Sequence, residues 1–295
     1  MTPGLLIAGH GTRDPEGVAA FTALTGRVAR LNTPRSVAGG FIELSEPPLR
    51  DAVRDLVGQG HRSLVAVPLM LVAAGHSKGD VPAALAREVT RHPGLSVRYG
   101  RPLGPHPVLQ DLLAARVDAA RADAARAGMT GPPAVLVVGR GTTDPDGNAD
   151  MVKVARLLWE GRDYEFTDTA FVSLARPSVP EGLERCRRLG ARNIMVARYF
   201  LFPGVLPDRV ADQTAEFAAA HPDLDVRVTD VLGDCDEIAG LVAERYAEAV
   251  AGDIRMNCDM CVYRTALPGF ADRVGAPQQP HDHPHDHDHV HLHGH

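Results

Sequence analysis

Two histidines and two glutamates in the first third of the chain have side chains that could bind a metal ion. His10, Glu43, Glu46 and His76 lie at or just after short apolar runs that read as β-strands. Neutral imidazole binds first-row transition metals and titrates near neutral pH, so a histidine can act as a ligand and as a proton acceptor. A carboxylate can add a ligand, relay a proton or orient a histidine. This set predicts a site that holds a divalent ion loosely and leaves coordination positions open.

The chain contains an internal repeat, and only its first copy keeps these residues. Residues 5–17 read LLIAGHGTRDPEG, and residues 135–147 read VLVVGRGTTDPDG. At the matched places the ligand types are replaced: His10 by Arg140, Glu43 by Ser173, Glu46 by Arg176 and His76 by Val205. Because the ligands are lost together from one copy, we expect one active site per chain.

Short apolar runs alternate with helical patterns in both copies. In the first copy, helical patterns follow the apolar runs LLIAG, VAGGFIEL, SLVAVPLML and LSVRYG. Apolar strands without polar alternation, separated by helices, are typical of parallel sheets covered on both faces. The predicted fold is α/β, with two tandem domains over residues 1–128 and 134–252, each a parallel sheet flanked by helices. The turn-rich segment GMTGPP joins them.

The predicted sheets indicate how the four residues could meet. In parallel α/β sheets, ligands bind beyond the carboxyl ends of the strands. The four residues follow three different strands, so folding could bring them to one edge of the first sheet. Each one alone could be a solvated or hydrogen-bonded loop residue. Their joint loss from the second copy favours a shared function.

Charge and hydropathy exclude several classes of protein. The formal net charge is −6 and no basic stripe is present, which argues against a nucleic-acid partner. The N-terminal segment lacks the positive region of a signal peptide. No segment approaches the roughly 20 apolar residues of a membrane helix. The sequence therefore predicts a soluble, cytoplasmic protein with no membrane partner.

The C-terminal region, residues 253–295, differs from both copies. Cys258 and Cys261 form a C-x-x-C pair within MNCDMC, whereas Cys186 and Cys235 are predicted to be buried thiols of the second domain. The last residues alternate histidine with other types, a composition that cannot bury a core and is predicted to be disordered without metal. These histidines are His281, His283, His285, His287, His289, His291, His293 and His295.

These motifs resemble a known family. GHGTRDPEG, FIELSEPPL and LVAAGHSKGDVP look like class II tetrapyrrole chelatases. With the second domain, the M-x-C-x-x-C element and the histidine-rich tail, the chain is similar to the long-form sirohydrochlorin chelatases called CbiX. The resemblance implies insertion of Co²⁺ or Fe²⁺ into sirohydrochlorin, towards cobalamin (vitamin B12) or siroheme, without ATP or another nucleotide.

The sequence leaves three questions open: which metal is inserted, whether the protein stores metal instead, and how many chains assemble. Cobalt is the first choice, because the long form with a histidine tail resembles the cobalamin-pathway enzyme, and iron insertion is the runner-up. A metal-storage or metallochaperone protein is a rival from another class, which would explain residues 253–295 but not the paired motifs of the first copy. The chain is expected to be a monomer or a homodimer, since the duplication could make it the single-chain equivalent of a dimer of shorter chelatases.

The resemblance also implies roles for individual residues. His10 and His76 are expected to be the principal metal-binding and proton-accepting pair, and Glu43 the first-choice carboxylate. Glu46 is either a further ligand or a cap for the helix after Pro47.

Sirohydrochlorin carries eight carboxylates, so its binding site should offer cations. Arg13 and Lys78 lie beside the two histidine motifs and are the first candidates. Arg140 and Arg176, where the first copy has ligands, could form a carboxylate clamp across the cleft between the domains. Alternatively, these arginines are surface charges or part of an interdomain salt bridge.

The C-terminal motifs allow further metal chemistry. The resemblance implies an iron–sulfur centre at Cys258 and Cys261, but this element supplies two of the four thiolates that a cluster usually takes. The others could come from a second subunit, from non-cysteine ligands, or from Cys186 and Cys235; a redox dithiol or a metal-transfer site competes. The tail is predicted to gather divalent metal for the catalytic site, or to be a metal sponge that does not affect turnover.

Overall fold

The computed structural model describes residues 2–254 and 271–276 and contains two parallel four-stranded sheets. Helices flank each sheet, which confirms the predicted α/β class with two tandem repeats. Within the described residues, no helix is both long and apolar enough to cross a membrane.

The first sheet has four parallel strands: β1 (Gly4–Gly9), β2 (Val37–Phe41), β3 (Ser63–Pro68) and β4 (Ser96–Tyr99). They are hydrogen-bonded in the order β2–β1–β3–β4. The central strand β1 is buried along its whole length because helices cover both faces of the sheet. The helices of this repeat are α1 (Pro15–Leu31), α2 (Leu49–Gly58), α3 (Val81–Arg91) and α4 (Pro107–Arg126), with a π-helical turn over His76–Asp80 directly before α3.

The second sheet repeats this arrangement with β5 (Ala134–Gly139), β6 (Thr167–Phe171), β7 (Asn193–Arg198) and β8 (Asp225–Val228). Its strand order is β6–β5–β7–β8. The helices are α5 (Pro145–Trp159), α6 (Val179–Arg188), α7 (Val205–Ala220) and α8 (Asp236–Ala251), and a short 3₁₀ turn follows at Ala271–Arg273.

The last helix of each repeat packs on the sheet of the other repeat. Helix α4 contacts β7, β8 and α5, whereas α8 contacts α1, β3 and β4. One apolar cluster therefore runs through both repeats and includes Ile7, Val65, Val137 and Ile238. The predicted ranges 1–128 and 134–252 follow the sequence repeat, but each sheet is completed by a helix from the other range.

Polar contacts fix α8 against the first repeat. Arg245 is 1% exposed and donates to the backbone carbonyl oxygens of Pro102 and Leu103. The Tyr246 hydroxyl donates to the carbonyl oxygen of Pro3. These bonds satisfy a buried guanidinium and a buried phenol, which would otherwise be costly to desolvate.

Helices α1 and α5 begin in the same way, just beyond the strand that each follows. Asp14 and Asp144 are their N-caps and accept hydrogen bonds from the backbone N–H groups of Glu16 and Asp146. A proline at the first helical position suits this start, because its missing N–H would have no helical partner there. The two caps fix the loops after β1 and β5, in which His10 and Arg140 lie.

Candidate metal-insertion site

Three of the four predicted ligands meet at the carboxyl edge of the first sheet. His10 follows β1, Glu43 follows β2, and His76 begins the π-helical turn after β3. The Nε2 atom of His10 lies 2.9 Å from Nε2 of His76 and 3.1 Å from Oε1 of Glu43. One ligand atom from each residue falls within 4.8 Å of the others, which is a spacing that a single metal ion could bridge.

Backbone hydrogen bonds continue past the ends of the strands and hold two of these residues side by side. Ile42 N–H donates to the carbonyl oxygen of Gly9, and Glu43 N–H donates to that of His10. The chain after β2 is thereby fastened to the chain after β1 for two further residues. The Glu43 side chain is brought to His10 by this extension of the parallel ladder.

The partners of the two imidazoles define which ring nitrogen carries the proton. Nδ1 of His76 lies 2.6 Å from a carboxylate oxygen of Asp80, and Nδ1 of His10 lies 3.1 Å from the carbonyl oxygen of Gly11. Both oxygens accept hydrogen bonds, so each neutral ring donates from Nδ1 and keeps a lone pair on Nε2. Two lone pairs that face each other at 2.9 Å repel, and a cation between them would relieve this repulsion.

The surroundings of His10 keep its imidazole neutral. Its pKa is lowered to about 4, mainly by burial and further by repulsion from a protonated His76 and from Arg140, against the opposing effects of Glu43 and the Gly11 carbonyl. At neutral pH the ring is therefore unprotonated, which is the form that binds metal. The Asp80 carboxylate supports His76 as well, since a carboxylate behind a ligating histidine fixes the orientation of the ring.

The second repeat contributes Arg140 to this site. Its Nη1 atom donates to Nε2 of His10 at 3.2 Å, although Arg140 occupies the place in its own repeat that His10 has in the first. The ends of β1 and β5 consequently face each other, and the site lies between the two repeats. The exposed Arg140 side chain places a fixed positive charge beside the three ligands.

Comparison with known proteins agrees with this duplicated architecture. The CbiX family model matches residues 4–120 and again residues 134–249. The chain belongs to the CbiX family. A sirohydrochlorin cobaltochelatase of Priestia megaterium is 34% identical over 264 residues, covering 89% of this chain and 85% of the relative. A sirohydrochlorin ferrochelatase of the same species is 29% identical over 210 residues, covering 71% and 77%.

A solved structure shares this fold. SirB from Bacillus subtilis, determined with Fe³⁺, superposes with a TM-score of 0.72 at 25% sequence identity. The match covers 86% of this chain and 97% of SirB.

Glu46 lies apart from the three candidate ligands. Among the described residues, the converging group of potential ligands consists of His10, Glu43 and His76, and Glu46 is exposed on the following loop. The alternative role as a helix cap is not realised either. Helix α2 has Pro48 at its N-cap and no side-chain capping hydrogen bond.

Lys78 does not face the cleft, contrary to its predicted role in binding substrate carboxylates. Its ammonium group donates to Asp144 at 2.8 Å and to Asp146 at 2.9 Å, and the side chain is 7% exposed. Both aspartates belong to the second repeat, at the start of α5. Lys78 is therefore part of a buried interdomain ion cluster, because two carboxylates already neutralise it.

The remaining predicted cations lie on the surface. Arg13 is exposed on the loop after β1. Arg176 is exposed and pairs with Glu181 in the first turn of α6, which is the salt-bridge alternative for this residue. Of the two arginines of the predicted clamp, the structure brings Arg140 to the ligands and does not bring Arg176.

The cysteines divide into two pairs. Cys186 is fully buried in α6, and burial raises the pKa of its thiol to about 12; Cys235 is the partly buried N-cap of α8. A thiol with so high a pKa is a poor source of the thiolate that a cluster requires. Cys258, Cys261 and the tail histidines from His281 to His295 lie outside the described residues.

Two features of the site were missed from the sequence. Asp80 supports His76 from one helical turn further along the chain, and the spacing of four residues could have revealed it, because such residues share a helix face. The burial of Lys78 had no local signal, since both of its partners come from the other repeat.

Proposed function

We propose that this chain is a sirohydrochlorin chelatase that inserts Co²⁺ into sirohydrochlorin in cobalamin biosynthesis, without ATP. The observation that carries the proposal is the convergence of His10, His76 and Glu43 at the cleft between the repeats. The names of the two Priestia megaterium relatives support the substrate. Cobalt is favoured over iron because the cobaltochelatase has the higher identity and the greater coverage.

The geometry supports a division of labour among the three ligands. The two Nε2 lone pairs and the Glu43 carboxylate hold a divalent ion with only three protein ligands, which leaves positions for macrocycle nitrogens. As the ion passes to those nitrogens, two pyrrole N–H bonds break and two protons must leave. The Nε2 atoms released by the ion can accept these protons, and because the pKa of His10 is about 4, its proton then passes on to solvent.

The test is an anaerobic assay that follows the absorbance of sirohydrochlorin with Co²⁺ or Fe²⁺. We expect metal-dependent conversion above the spontaneous rate for the wild type and its loss in His10→Ala. His92→Ala, at the far end of α3, is the matched control and should keep wild-type rates. Faster turnover with Fe²⁺ would mean that iron, and not cobalt, is the metal that the protein inserts. No acceleration with either ion, in a protein that still binds metal, would favour metal storage.

We propose that Arg140 is the residue of the second repeat that binds a substrate carboxylate. A guanidinium 3.2 Å from a metal ligand would repel an incoming cation unless an anion were bound with it. Arg140→Met should therefore raise the apparent KM for sirohydrochlorin by about tenfold or more, as expected for loss of a charge-assisted hydrogen bond. Arg192→Met is the control, because it removes an exposed arginine at the amino end of β7, the end opposite to the one that the site occupies in the first sheet. An unchanged KM in Arg140→Met would discard this role.

We infer that the histidine tail gathers divalent metal for the site, and that Cys258 and Cys261 hold a metal or a cluster. Truncation after Ala276 should preserve turnover when metal is abundant and lower it when metal is scarce. Loss of activity under both conditions would contradict the delivery role. Anaerobic purification with no iron, no sulfide and no broad visible absorption would exclude a cluster.

A further inference from the structure

Two leucines at matched positions have a backbone conformation that leucine rarely adopts. Leu44 has a φ of 64° and Leu174 a φ of 59°. Around each, a three-residue turn is closed by a backbone hydrogen bond: Ser45 N–H to the Glu43 carbonyl at 2.8 Å, and Ala175 N–H to the Ser173 carbonyl at 2.7 Å. A positive φ at the centre of such a bond is the arrangement of the classic γ-turn, which is rare and strained.

The requirements of the fold do not explain why leucine stands at both centres. Glycine adopts positive φ freely and would relieve the strain. The contacts that anchor the neighbouring loop also differ between the repeats. Ser45 bonds both the amide and the carbonyl of Thr12, whereas Asn148 on α5 does the same for Thr142. The residue that bonds the neighbouring loop therefore differs between the repeats, whereas both repeats have leucine at the strained position. This pattern indicates that the leucine side chain has a function.

Both leucines lie beside the metal-insertion site. Leu44 directly follows Glu43, which is fastened to His10, and Leu174 directly follows Ser173, which is fastened in the same way to Arg140. Because Arg140 contacts His10, the two turns lie on the two sides, or walls, of the junction between the repeats. Leu174 is 58% exposed, an unusual state for a leucine held in a strained turn.

We propose that Leu44 and Leu174 are the apolar contacts that position the tetrapyrrole macrocycle between the two walls. The inference rests on the proposed function and adds the residues that bind the ring itself. A tetrapyrrole is a flat apolar ring with carboxylates at its rim. Arg140 supplies a charge for the rim, and the two leucines supply apolar surface for the ring from turns that backbone hydrogen bonds close.

Leu174 provides the cleaner test, because its neighbour Ser173 is not a metal ligand. In Leu174→Gly we expect a melting temperature equal to or above that of the wild type, since the strain is relieved. We also expect the KM for sirohydrochlorin to rise about tenfold, as for loss of a leucine that substrate buries, with kcat nearly unchanged. Leu174→Met keeps an apolar side chain and should retain a KM near that of the wild type.

The controls separate this effect from a general loss of apolar surface. Leu189→Gly removes a leucine that is 65% exposed at the end of α6 and should leave KM unchanged. A lower melting temperature with an unchanged KM in Leu174→Gly would overturn the inference and make the leucine structural.

Failure of the inference can be distinguished from failure of the proposed function. If the wild type inserts metal and Leu174→Gly has the same KM, only the inference falls. If the wild type inserts no metal but Leu174→Gly binds metal-free sirohydrochlorin about tenfold more weakly by fluorescence titration, the proposed function falls and the inference stands.

Discussion

At the scale of single residues, the hydrogen-bond acceptors beside the two Nδ1 atoms determine which nitrogen of each imidazole carries the proton. Asp80 and the Gly11 carbonyl each accept from an Nδ1 atom, so both Nε2 lone pairs point to one place. The two supports differ in strength, because His76 donates to a charged carboxylate at 2.6 Å whereas His10 donates to a neutral carbonyl, and charge-assisted hydrogen bonds are the stronger ones. His76 is therefore expected to be the stronger metal ligand, and His10, with its low pKa, the weaker one.

This difference predicts a positioning role for Asp80. Asp80→Asn keeps a hydrogen-bond acceptor behind His76 but removes the charge, so the affinity for Co²⁺ should fall by about 10- to 100-fold. Isothermal titration with Co²⁺ of the protein truncated after Ala276, which lacks the tail histidines, measures this change. Asp55→Asn, at an exposed position on α2, is the control and should bind as the wild type does. Equal Co²⁺ affinities for Asp80→Asn and the wild type would show that the carboxylate does not act through His76.

At the scale of elements, the π-helical turn His76–Asp80 joins the site to the other repeat. It carries a ligand, the support of that ligand, and Lys78, whose ammonium group is held by Asp144 and Asp146 at the start of α5. The helix dipole of α5 favours carboxylates at that end, and the N-cap bond of Asp144 adds to this. The position of the turn therefore depends on the position of α5.

The ion cluster predicts a strong effect of Lys78 on stability. Lys78→Met leaves two buried carboxylates without their partner, which should lower the free energy of unfolding by about 3–5 kcal/mol. Adding Asp146→Asn removes one of these charges and should recover part of the loss. Lys153→Met, an exposed lysine on α5, should change stability by less than about 0.5 kcal/mol. Denaturation by urea measures all three, and equal values for Lys78→Met and Lys153→Met would mean that the cluster contributes nothing.

Local sequence patterns predicted the elements well and their partners less well. Helix α4 spans Pro107–Arg126, and its start is defined by a proline that suits a first helical position. The convergence of His10, Glu43 and His76 was predictable from the strand ends and from the loss of these residues in the second copy. The same reasoning also selected Glu46, which lies apart from them. The exchange of α4 and α8 could not be predicted, because an apolar helix face fits either apolar sheet. The burial of Lys78 could not be predicted because both of its partners, Asp144 and Asp146, come from the other repeat.

At the scale of the whole molecule, the helix exchange makes the two repeats one structure. The apolar cluster that includes Ile7 and Val65 of the first sheet also includes Val137 of the second and Ile238 of α8. Ion pairs also connect the two repeats: Arg27 on α1 pairs with Asp234 and Asp236 at the start of α8. A cleft between two repeats that share a core opens less freely than one between domains joined by a single linker, which suits a site assembled from both walls.

The exchange predicts that the first sheet depends on α8. Ending the chain at Gly233 removes the buried side chains Ile238, Leu241, Val242 and Tyr246, each at most 3% exposed. At about 1.5–3 kcal/mol for each large apolar side chain, the loss approaches about 10 kcal/mol, which is comparable to the whole stability of a typical domain. Residues 1–233 should therefore melt without cooperativity and bind a hydrophobic dye, whereas residues 1–254 should melt within a few degrees of the full chain. A cooperative melt of residues 1–233 at the temperature of the full chain would show that α8 lies on the first sheet without stabilising it.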